Sequence, residues 1–411
     1  MSSDRALSKE TKEIVKATAP VLAEHGEKIT SHFYQRMFSN HPELLNVFNQ
    51  TNQKKGRQPQ ALANAIYAAA VHIDHLETIL PAVKQIAHKH RSLNIMPEQY
   101  PIVGENILAA IKEVLGEAAT DDIINAWGEA YGVIADVFIQ VEKEMYEEAE
   151  QARGGWKGFR PFIVEKKVVE SDVITSFYLK PADGKELADF LPGQYMTLKA
   201  KIEGEEYTHM RQYSLSDAPG NDYYRISVKR ESGPDEFPSG KVSNYLHKDV
   251  KEGDILEYTA PAGDFVLDQD SKRPVVFISG GVGLTPLMSM FNTLVKKDSE
   301  REITFIHAAI NGQHHAMHEH VATLAKEREN IHYALCFESP TQEDTSNEFL
   351  KQEGFIDKEF LRSVIETKEA DFYFCGPVPF MKAVNYILKS WDVPEEHIHF
   401  EFFGPAQTLE G

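Results

Sequence analysis

Two histidines, His88 and His90, occur in the segment 81–91, which starts with Pro81 and has the apolar spacing of a helix. His90 falls on the apolar face of that helix, seven residues after Val83, whereas His88 points elsewhere. A histidine on an apolar face is either a hydrogen-bonded core residue or a ligand. Its surroundings must decide between these two roles.

Two other polar residues are placed to decide the role of His90. Tyr100 follows it by ten residues, and Glu142 lies on the apolar stripe of a later helix that also carries Tyr131 and Phe138. A carboxylate on a buried face is costly unless it is hydrogen-bonded, so Glu142 either lies at the rim beside a lysine or binds His90. If Tyr100 and Glu142 orient one ring nitrogen of His90, the other becomes a strong ligand for haem iron. That electron push favours activation of bound O2 over its storage.

A phenol is available for the opposite side of such an iron. Tyr34 lies in the segment His32–Phe38, at the edge of an apolar stripe. Its hydroxyl could donate a hydrogen bond to a bound dioxygen that carries partial superoxide charge. The sequence therefore predicts Tyr34 as a catalytic residue.

A glycine-rich turn indicates a second kind of chemistry. The apolar run Val275–Ser279 leads into it, and a helix is predicted over Leu287–Leu294. Glycines let the backbone approach a pyrophosphate, whose charge a helix N-terminus favours, although a tight structural turn has the same composition. The third glycine of the usual dinucleotide fingerprint is missing, and no acidic residue follows the second strand at His307–Ala309. The turn consists of Gly280, Gly281, Val282, Gly283, Leu284, Thr285 and Pro286.

Two further segments make the interpretation of this turn specific. The segment Arg211–Ser214 precedes it, and Cys375–Pro377 follows a late strand at Phe372–Phe374. A guanidinium fork suits phosphate, and an aromatic plane suits a flat ring. In this order, with the glycine turn between them, the segments resemble the ferredoxin–NADP reductase superfamily over residues 156–411.

That resemblance implies specific roles for the residues of these segments. Arg211 would bind the flavin pyrophosphate, Tyr213 would pack on the isoalloxazine, and Ser214 would bond its polar edge. Gly376 and Pro377 would shape the nicotinamide pocket. The other residues that the resemblance places at the cofactors are Tyr195, Gln212, Val242, Ser243 or Asn244, Cys375, Glu401, Phe402, Phe403, Gly404 and Pro405.

Two of these positions carry additional expectations. Phe403 belongs to the predicted terminal strand that starts at Ile398, and the resemblance makes it the aromatic residue expected to cover the flavin face. Cys375 could instead be buried filler, which is the commoner fate of a free cysteine.

The pattern of residues predicts a multi-domain α+β protein that brings these segments together. Residues 1–150 repeat their apolar residues at helical spacing and predict an all-α domain of about seven or eight helices. Residues 151–158 are a glycine-containing linker, and residues 159–268 alternate as in an antiparallel β-barrel. Residues 269–411 alternate strands with helices, which is typical of an α/β domain around a parallel sheet.

Composition excludes several classes of function. The 63 acidic and 43 basic residues give a net charge of -20, which disfavours binding to nucleic acid or to anionic membranes. The two cysteines cannot form a disulfide framework and suit a reducing compartment. No apolar signal core and no run long enough to span a bilayer occur, so we expect a cytoplasmic protein.

Taken together, these segments resemble the bacterial flavohaemoglobins, which are nitric oxide dioxygenases, over the whole chain. The resemblance implies an N-terminal globin domain, with His90 as the proximal ligand of haem iron and Tyr100 with Glu142 as its relay. Tyr34 would stabilise the distal ligand. Further haem-pocket positions are Phe48, Gln58 and Leu62, and Lys89 and Glu401 would tune redox potential at the haem–flavin junction.

The cofactors that follow are haem b, FAD and NAD(P)H, and the substrates are O2 and nitric oxide. Nicotinamide gives two electrons at once whereas haem iron accepts one, so a flavin between them explains why both parts share a chain. The resemblance also leaves room for a lipid in the haem pocket and for a monomeric chain.

Two other functions compete with this one. A gas sensor or carrier would use the reductase only to keep iron ferrous, and the Tyr100–Glu142 pair argues against simple storage. A ferric or flavin reductase with a docking domain would have no use for His90. The choice between NADH and NADPH stays open.

Overall fold

Helical spacing in the N-terminal part produces six α-helices among the residues that the computed structural model describes, which are 7–48, 57–233, 239–404 and 409. Proline occurs in the first turn of two 3-10 helices and of two of the α-helices, as expected for a residue that lacks an amide hydrogen. The helices are α1 (Lys9–Glu24), α2 (Gly26–Asn40), α3 (Arg57–Val71), α4 (Leu80–Ser92), α5 (Tyr100–Leu115) and α6 (Asp121–Gln151).

The apolar stripes of these helices meet in one core. Phe33, Met37 and Ala110 are almost completely buried there, together with Trp127 of the long last helix. The Trp127 indole donates to Thr18 Oγ1 at 2.8 Å, which satisfies its polar atom inside the core. The all-α prediction for this part is confirmed.

The next part is an antiparallel sheet of six strands in the order β4-β3-β6-β1-β2-β5. An isolated bridge between Leu215 and Ile226 joins the region after β4 to β5, so the two outer strands approach each other as in a barrel. Phe162 and Tyr258 fill its interior. The elements are β1 (Arg160–Val169), β2 (Ile174–Pro181), β3 (Tyr195–Ala200), β4 (His209–Ser214), β5 (Tyr224–Lys229), α7 (Lys241–Lys248) and β6 (Ile255–Tyr258).

The C-terminal part is a parallel sheet whose six strands have the order β10-β9-β8-β7-β11-β12. All residues of its central strands β7 and β11 are buried, as expected for strands covered on both faces. The elements are β7 (Val275–Gly280), α8 (Leu284–Lys296), β8 (Ile303–Ala309), α9 (His318–Glu327), β9 (Ile331–Phe337), β10 (Leu350–Glu353), α10 (Lys358–Val364), β11 (Asp371–Cys375), α11 (Val378–Lys389) and β12 (Ile398–Phe400).

The strand order reverses between β7 and β11. Strands β8, β9 and β10 are added on one side of β7, whereas β11 and β12 are added on the other. Ligands of open α/β sheets bind at the carboxyl ends of the strands at such a point. The glycine turn after β7 and Cys375–Pro377 after β11 both lie there. Helix α8 starts at Leu284, three residues earlier than predicted, so the helix N-terminus directly adjoins the glycines.

The terminal strand is shorter than predicted. It ends at Phe400, so Phe403 lies in the irregular segment that follows. Among the described residues, no helix combines the length and apolar character required to cross a membrane.

Candidate functional site

A single cavity of about 1550 Å³ extends from the helical part into the two parts that follow. Its helical end is lined by apolar and aromatic side chains, and its other end by residues of β3, β4, the start of α7 and the C-terminal segment. Lining residues that the sequence predicted are Tyr34, Phe48, Leu62, Lys89, His90, Tyr100, Tyr195, Arg211, Gln212, Tyr213, Ser214, Val242, Ser243, Val282, Thr285, Glu401, Phe402, Phe403 and Gly404.

The structure joins His90 to both predicted partners. His90 Nδ1 lies 2.7 Å from Glu142 Oε1 and 3.2 Å from the Tyr100 hydroxyl, and that hydroxyl donates to Glu142 Oε1 at 2.6 Å. Glu142 is only 2% exposed, so it is a buried acceptor and not a rim carboxylate. A carboxylate can only accept, which places the imidazole proton on Nδ1. The described residues offer Nε2 no hydrogen bond, so this atom is the one able to bind a metal.

Three helices position this triad. His90 lies in the last turn of α4, Tyr100 begins α5, and Glu142 lies within α6. The Tyr131 hydroxyl donates to the Tyr100 carbonyl at 2.6 Å and so attaches the start of α5 to α6. Burial and the neighbouring Glu142 charge raise the pKa of Tyr100, which therefore stays protonated and able to donate.

Close packing holds the α5–α6 contact. A Cβ atom at Gly104 would lie 2.5 Å from the Tyr131 ring, so only glycine allows this approach. The Phe138 ring lies 6.0 Å from the His90 ring and 6.5 Å from the Tyr100 ring. Phe138 thus limits the imidazole orientation together with Glu142.

Aromatic rings form the wall that contains Tyr34. Tyr34 is 7% exposed, and its ring lies 4.8 Å from Phe33 and 5.8 Å from both Phe38 and Phe48. Leu62 of α3 lines the same end of the cavity. The side chain of Gln58 lies outside the described residues. The helical end therefore offers apolar walls, the Tyr34 phenol and the open nitrogen of His90, which fits a flat apolar macrocycle that carries an iron.

Arg211 is the cation of the opposite end. Its Nη1 donates to the Met210 carbonyl at 2.7 Å, and the described residues place no carboxylate within ion-pair distance of it. Burial lowers the pKa of Arg211, although an arginine stays charged. A half-buried guanidinium of this kind fits an anionic phosphate.

The residues around Arg211 differ in whether their side chains are available to a group bound in the cavity. Tyr213 and Ser214 line the cavity, and Tyr195 lies opposite Ser214 in the β3–β4 ladder. Gln212 lines the cavity as well, but its Nε2 donates to Ser92 Oγ of α4 at 2.6 Å. The amide of Gln212 therefore faces the helical part.

The start of α7 provides backbone and hydroxyl donors. Ser243 Oγ donates to the Gly240 carbonyl at 3.1 Å and accepts from the Glu231 amide at 3.1 Å. Asn244 donates to the carbonyls of Glu231 and Gly240 at 2.9 Å, so its side chain is occupied locally. Part of the predicted loop 231–240 lies outside the described residues.

The glycine turn is held against the Cys375–Pro377 segment. Gly281 has φ +53, and a Cβ atom at Gly283 would lie 2.2 Å from the Cys375 carbonyl oxygen. A Cβ atom at Gly376 would lie 2.7 Å from the Phe380 ring. Only residues without a side chain allow the two segments to meet at the switch point.

Cys375 is completely buried, and its Sγ lies 3.4 Å from the Glu401 carbonyl. Burial raises the pKa of Cys375 well above its ordinary value, so the thiol stays protonated. The sulfur does not line the cavity. This placement favours the filler role that was left open for it.

The C-terminal segment meets α4 at the middle of the cavity. Lys89 Nζ donates to the Gly404 carbonyl at 2.8 Å, and Glu401 Oε2 is buried without a hydrogen-bond partner among the described residues. Burial raises the pKa of Glu401 to about 8, partly offset by the Lys89 charge. Phe403 is 47% exposed and lines the cavity, while Pro405 lies outside the described residues.

Sequence reasoning missed the contacts that join the helical part to the rest. Arg91 and Ser92 follow His90 and are buried, and Asn46 Oδ1 accepts from the Thr208 amide at 2.8 Å. Within the helical part, sequence reasoning also missed the hydrogen bond that Tyr146 donates to the Ile95 carbonyl at 2.7 Å. Only Tyr146 carried a signal, since it continues the stripe of Glu142 by four residues.

Known families match each part of the chain. The model described as Globin matches residues 31–138, the Oxidoreductase FAD-binding domain matches residues 161–267, and the Oxidoreductase NAD-binding domain matches residues 277–386. These three matches agree with the predicted order of domains.

Full-length relatives have the same order. The flavohemoprotein of Halalkalibacterium halodurans is 69% identical over 407 residues, which cover 99% of each chain. The crystal structure of flavohemoglobin from Malassezia yamatoensis with bound FAD and heme has a TM-score of 0.82 at 27% identity, covering 97% of this chain and 100% of that one. The FAD/NAD binding domain of nitric oxide dioxygenase from Vibrio cholerae has a TM-score of 0.54 at 39% identity, covering 60% of this chain and 99% of that one.

Proposed function

The chain belongs to the flavohemoprotein family, and we propose that it converts nitric oxide and O2 to nitrate, with electrons from NAD(P)H. The observation that carries this proposal is the continuity of the cavity. An imidazole suited to haem iron lies at one end, and a guanidinium suited to a flavin phosphate lies at the other.

Three cofactors supply the redox chemistry: haem b offers an iron at which O2 and nitric oxide can react, FAD passes on single electrons, and NAD(P)H provides them in pairs. The chain's own residues bind and orient these groups. On the proximal side, His90 would ligate iron through Nε2, because Nδ1 is bound to Glu142. Glu142 and Tyr100 fix the ring and increase its basicity, which suits oxygen activation.

Tyr34 would act on the distal side. Its ring is held by Phe33, Phe38 and Phe48, so the hydroxyl has a limited range of positions. A phenol that donates to partly charged oxygen holds it for reaction with nitric oxide. The apolar walls, with Leu62 and the predicted Gln58, would exclude water from that reaction.

Arg211 would bind the FAD pyrophosphate, with Val242 and Ser243 at the start of α7 supporting it. Tyr213 and Tyr195 offer aromatic faces to the flavin. Ser214, Gln212, Glu401, Phe402, Phe403, Gly404 and Pro405 would complete that pocket.

NAD(P)H would bind at the switch point of the parallel sheet. The backbone of the turn Gly280–Gly283, half-buried at Gly281 and Val282, and the start of α8 would receive its pyrophosphate, with Leu284 and Thr285 beside it. Gly376 and Pro377, supported by Cys375, would shape the nicotinamide end.

We divide the chain into a globin domain (1–150), a linker (151–158), an FAD-binding barrel (159–268) and an NAD(P)-binding domain (269–411). The long helix α6 ends at Gln151 and β1 starts at Arg160, which supports the first two bounds. We further propose that the protein works in the cytoplasm as a monomer and that its apolar haem pocket can also accept a lipid.

The test is to follow nitric oxide consumption by the purified holoprotein under air, with nitrate and oxidised NAD(P)H measured together. We expect nitrate as the product and a ratio of two nitric oxide molecules per NAD(P)H, since each needs one electron. Nitric oxide consumption without nitrate, or without NAD(P)H oxidation beyond the first turnover, would instead support a gas carrier.

A further inference from the structure

Helix α4 is joined to the reductase part by residues on either side of the predicted haem ligand. His88 Nδ1 accepts from the Gly263 amide at 3.3 Å, and Lys89 Nζ donates to the Gly404 carbonyl at 2.8 Å. His90, the next residue, lines the cavity. Helix α4 would bind the haem of the helical part, but these hydrogen bonds attach it to the reductase part.

Arg91 adds a contact that buries a positive charge. The residue is only 6% exposed, and its guanidinium donates to the backbone carbonyls of Ala260, at 3.5 Å, and Pro261. The described residues place no carboxylate within ion-pair distance of it. A buried cation without an opposite charge is expensive, so the two carbonyls must offset its loss of hydration.

The segment that Arg91 binds supports the flavin end of the cavity. Ala262 and Tyr195 exchange two backbone hydrogen bonds of 2.8 Å, and Tyr195 lines the cavity. Gly263 has φ +115, and a Cβ atom there would lie 2.9 Å from the Tyr195 ring. A shift of Pro261 would therefore be transmitted directly to Tyr195.

Ser92 provides a second link to the same end. Its Oγ accepts from Gln212 Nε2 at 2.6 Å and donates to the Lys89 carbonyl at 2.9 Å. Gln212 lies between Arg211 and Tyr213 on β4. Residues 91 and 92 thus connect the ligand helix to two separate segments of the flavin pocket.

We propose that Arg91 is a positioning residue for electron transfer, which holds the haem-ligand helix against the segment 260–263 that supports the flavin pocket. The proposal rests on the proposed cofactors but not on the fate of nitric oxide. Arg91 does not line the cavity, so its effect must come through the placement of α4 and Tyr195. Misplacement of reacting groups by about 1 Å can cost about a hundredfold in rate.

The experiment is anaerobic stopped-flow reduction of the holoprotein by NAD(P)H, with flavin and haem absorbance followed separately. In Arg91→Met, which keeps an unbranched apolar stem but loses the charge and the donors, haem reduction should slow by about tenfold or more. Flavin reduction should stay within about twofold of the wild type, because the NAD(P)H site is untouched. Arg91→Lys keeps the charge and one donor to a carbonyl and should restore most of the haem-reduction rate.

A second measurement reports on structure without turnover. Hydrogen exchange of the backbone segment 259–265 should become faster in Arg91→Met and stay near wild type in Arg91→Lys. The matched control is Arg36→Met, which removes a partly exposed arginine of the helical part that pairs with Glu113. This control should leave both reduction rates and the exchange of 259–265 unchanged.

An unchanged haem-reduction rate in Arg91→Met would overturn the proposal. Equal slowing of flavin and haem reduction would overturn it as well, because the damage would then lie in the reductase. If Arg91→Met loses a cofactor, Arg91→Gln takes its place, because the shorter, uncharged amide cannot bind both carbonyls but keeps a polar group at this buried position. The proposal then fails if Arg91→Gln reduces haem as fast as the wild type while exchange of 259–265 is unaltered. Nitrate formation is not used, so failure here leaves the proposed function standing.

Discussion

The two polar clusters beside the cavity differ in how completely the described residues satisfy them. His90, Tyr100 and Glu142 bind one another, and His90 Nε2 has no hydrogen-bond partner among the described residues. At the junction, Glu401 Oε2 is buried without a partner, while Lys89 binds a backbone carbonyl. The first cluster is preorganised by three helices alone. The second needs a proton or a bound group to complete it.

The largest expected effect tests the preorganised cluster. His90→Ala removes the ligand atom that Glu142 and Tyr100 orient, so the purified variant should contain no haem. Flavin reduction by NAD(P)H should survive, because the flavin pocket lies at the other end of the cavity. Absorbance spectra of the purified protein before and after addition of NAD(P)H measure both. His88→Ala is the matched control and should retain haem; the reverse result would make His88 the ligand.

Arg211→Ala tests the opposite end of the cavity. A charge-assisted hydrogen bond to phosphate contributes about 1.5–3 kcal/mol, so FAD should dissociate about ten to a hundred times more readily. The haem spectrum should persist, but NAD(P)H should no longer reduce it unless FAD is added in excess. Equilibrium dialysis against FAD gives the affinity. Arg230→Ala removes an exposed arginine that donates to the Asp172 carbonyl and should bind FAD normally; equal affinities in both variants would contradict the assignment.

Part of the fold and of the haem site could be predicted from the sequence. The face of His90, its separation from His88 and the three helices were predictable, because they follow from helical spacing around buried residues. Strands β7, β8, β9 and β11 were predictable as short apolar runs. Strand β4 was recognised only through its motif, since its cavity-lining residues are polar and do not alternate.

Contacts between distant parts of the chain could not be predicted. Arg91 has the sequence signature of a solvated helix residue, but its guanidinium is bound by the carbonyls of Ala260 and Pro261 from another part of the chain. Glu401 Oε2 likewise lacks a hydrogen-bond partner because of how distant parts of the chain pack around it. Helical and strand periodicity describe which face is buried, but not what another domain places against it.

Tyr34→Phe sharpens the comparison on the distal side of the haem. The substitution removes the hydroxyl and keeps the ring contacts with Phe33 and Phe48. A hydrogen bond to charged oxygen contributes about 1.5–3 kcal/mol, so O2 release should accelerate by about ten- to a hundredfold. Carbon monoxide is less polar when bound and should be affected much less. Stopped-flow dissociation rates for both gases measure this; equal changes would indicate a packing role, and no change would remove Tyr34 from the mechanism.

The smallest effect concerns the incomplete cluster. Since burial raises the pKa of Glu401 to about 8 from an ordinary value of 4.5, the folded protein keeps a proton that an unfolded chain loses. The stability contributed by this group is therefore complete below about pH 4.5 and is lost progressively as the pH rises towards about 8. Glu401→Gln has no carboxyl group to ionise, so its stability should not fall in this way as the pH rises.

Thermal unfolding of the holoprotein checks this. The Tm of Glu401→Gln should exceed that of the wild type at pH 8, and the difference should shrink towards pH 5. Exposed Glu396 offers the control, because Glu396→Gln should give no such pH-dependent difference. A constant difference across this range would mean that Glu401 is already ionised in the folded protein.

The most direct test of the central claim is whether electrons from NAD(P)H reach the haem only through the bound flavin. Holoprotein that retains haem but has been depleted of FAD is mixed with NAD(P)H without oxygen, and haem absorbance is followed before and after FAD is restored. The continuous cavity between His90 and Arg211 predicts no haem reduction without FAD and full recovery with it, flavin absorbance changing before that of the haem. Haem reduction at an unchanged rate in the absence of FAD would contradict the account.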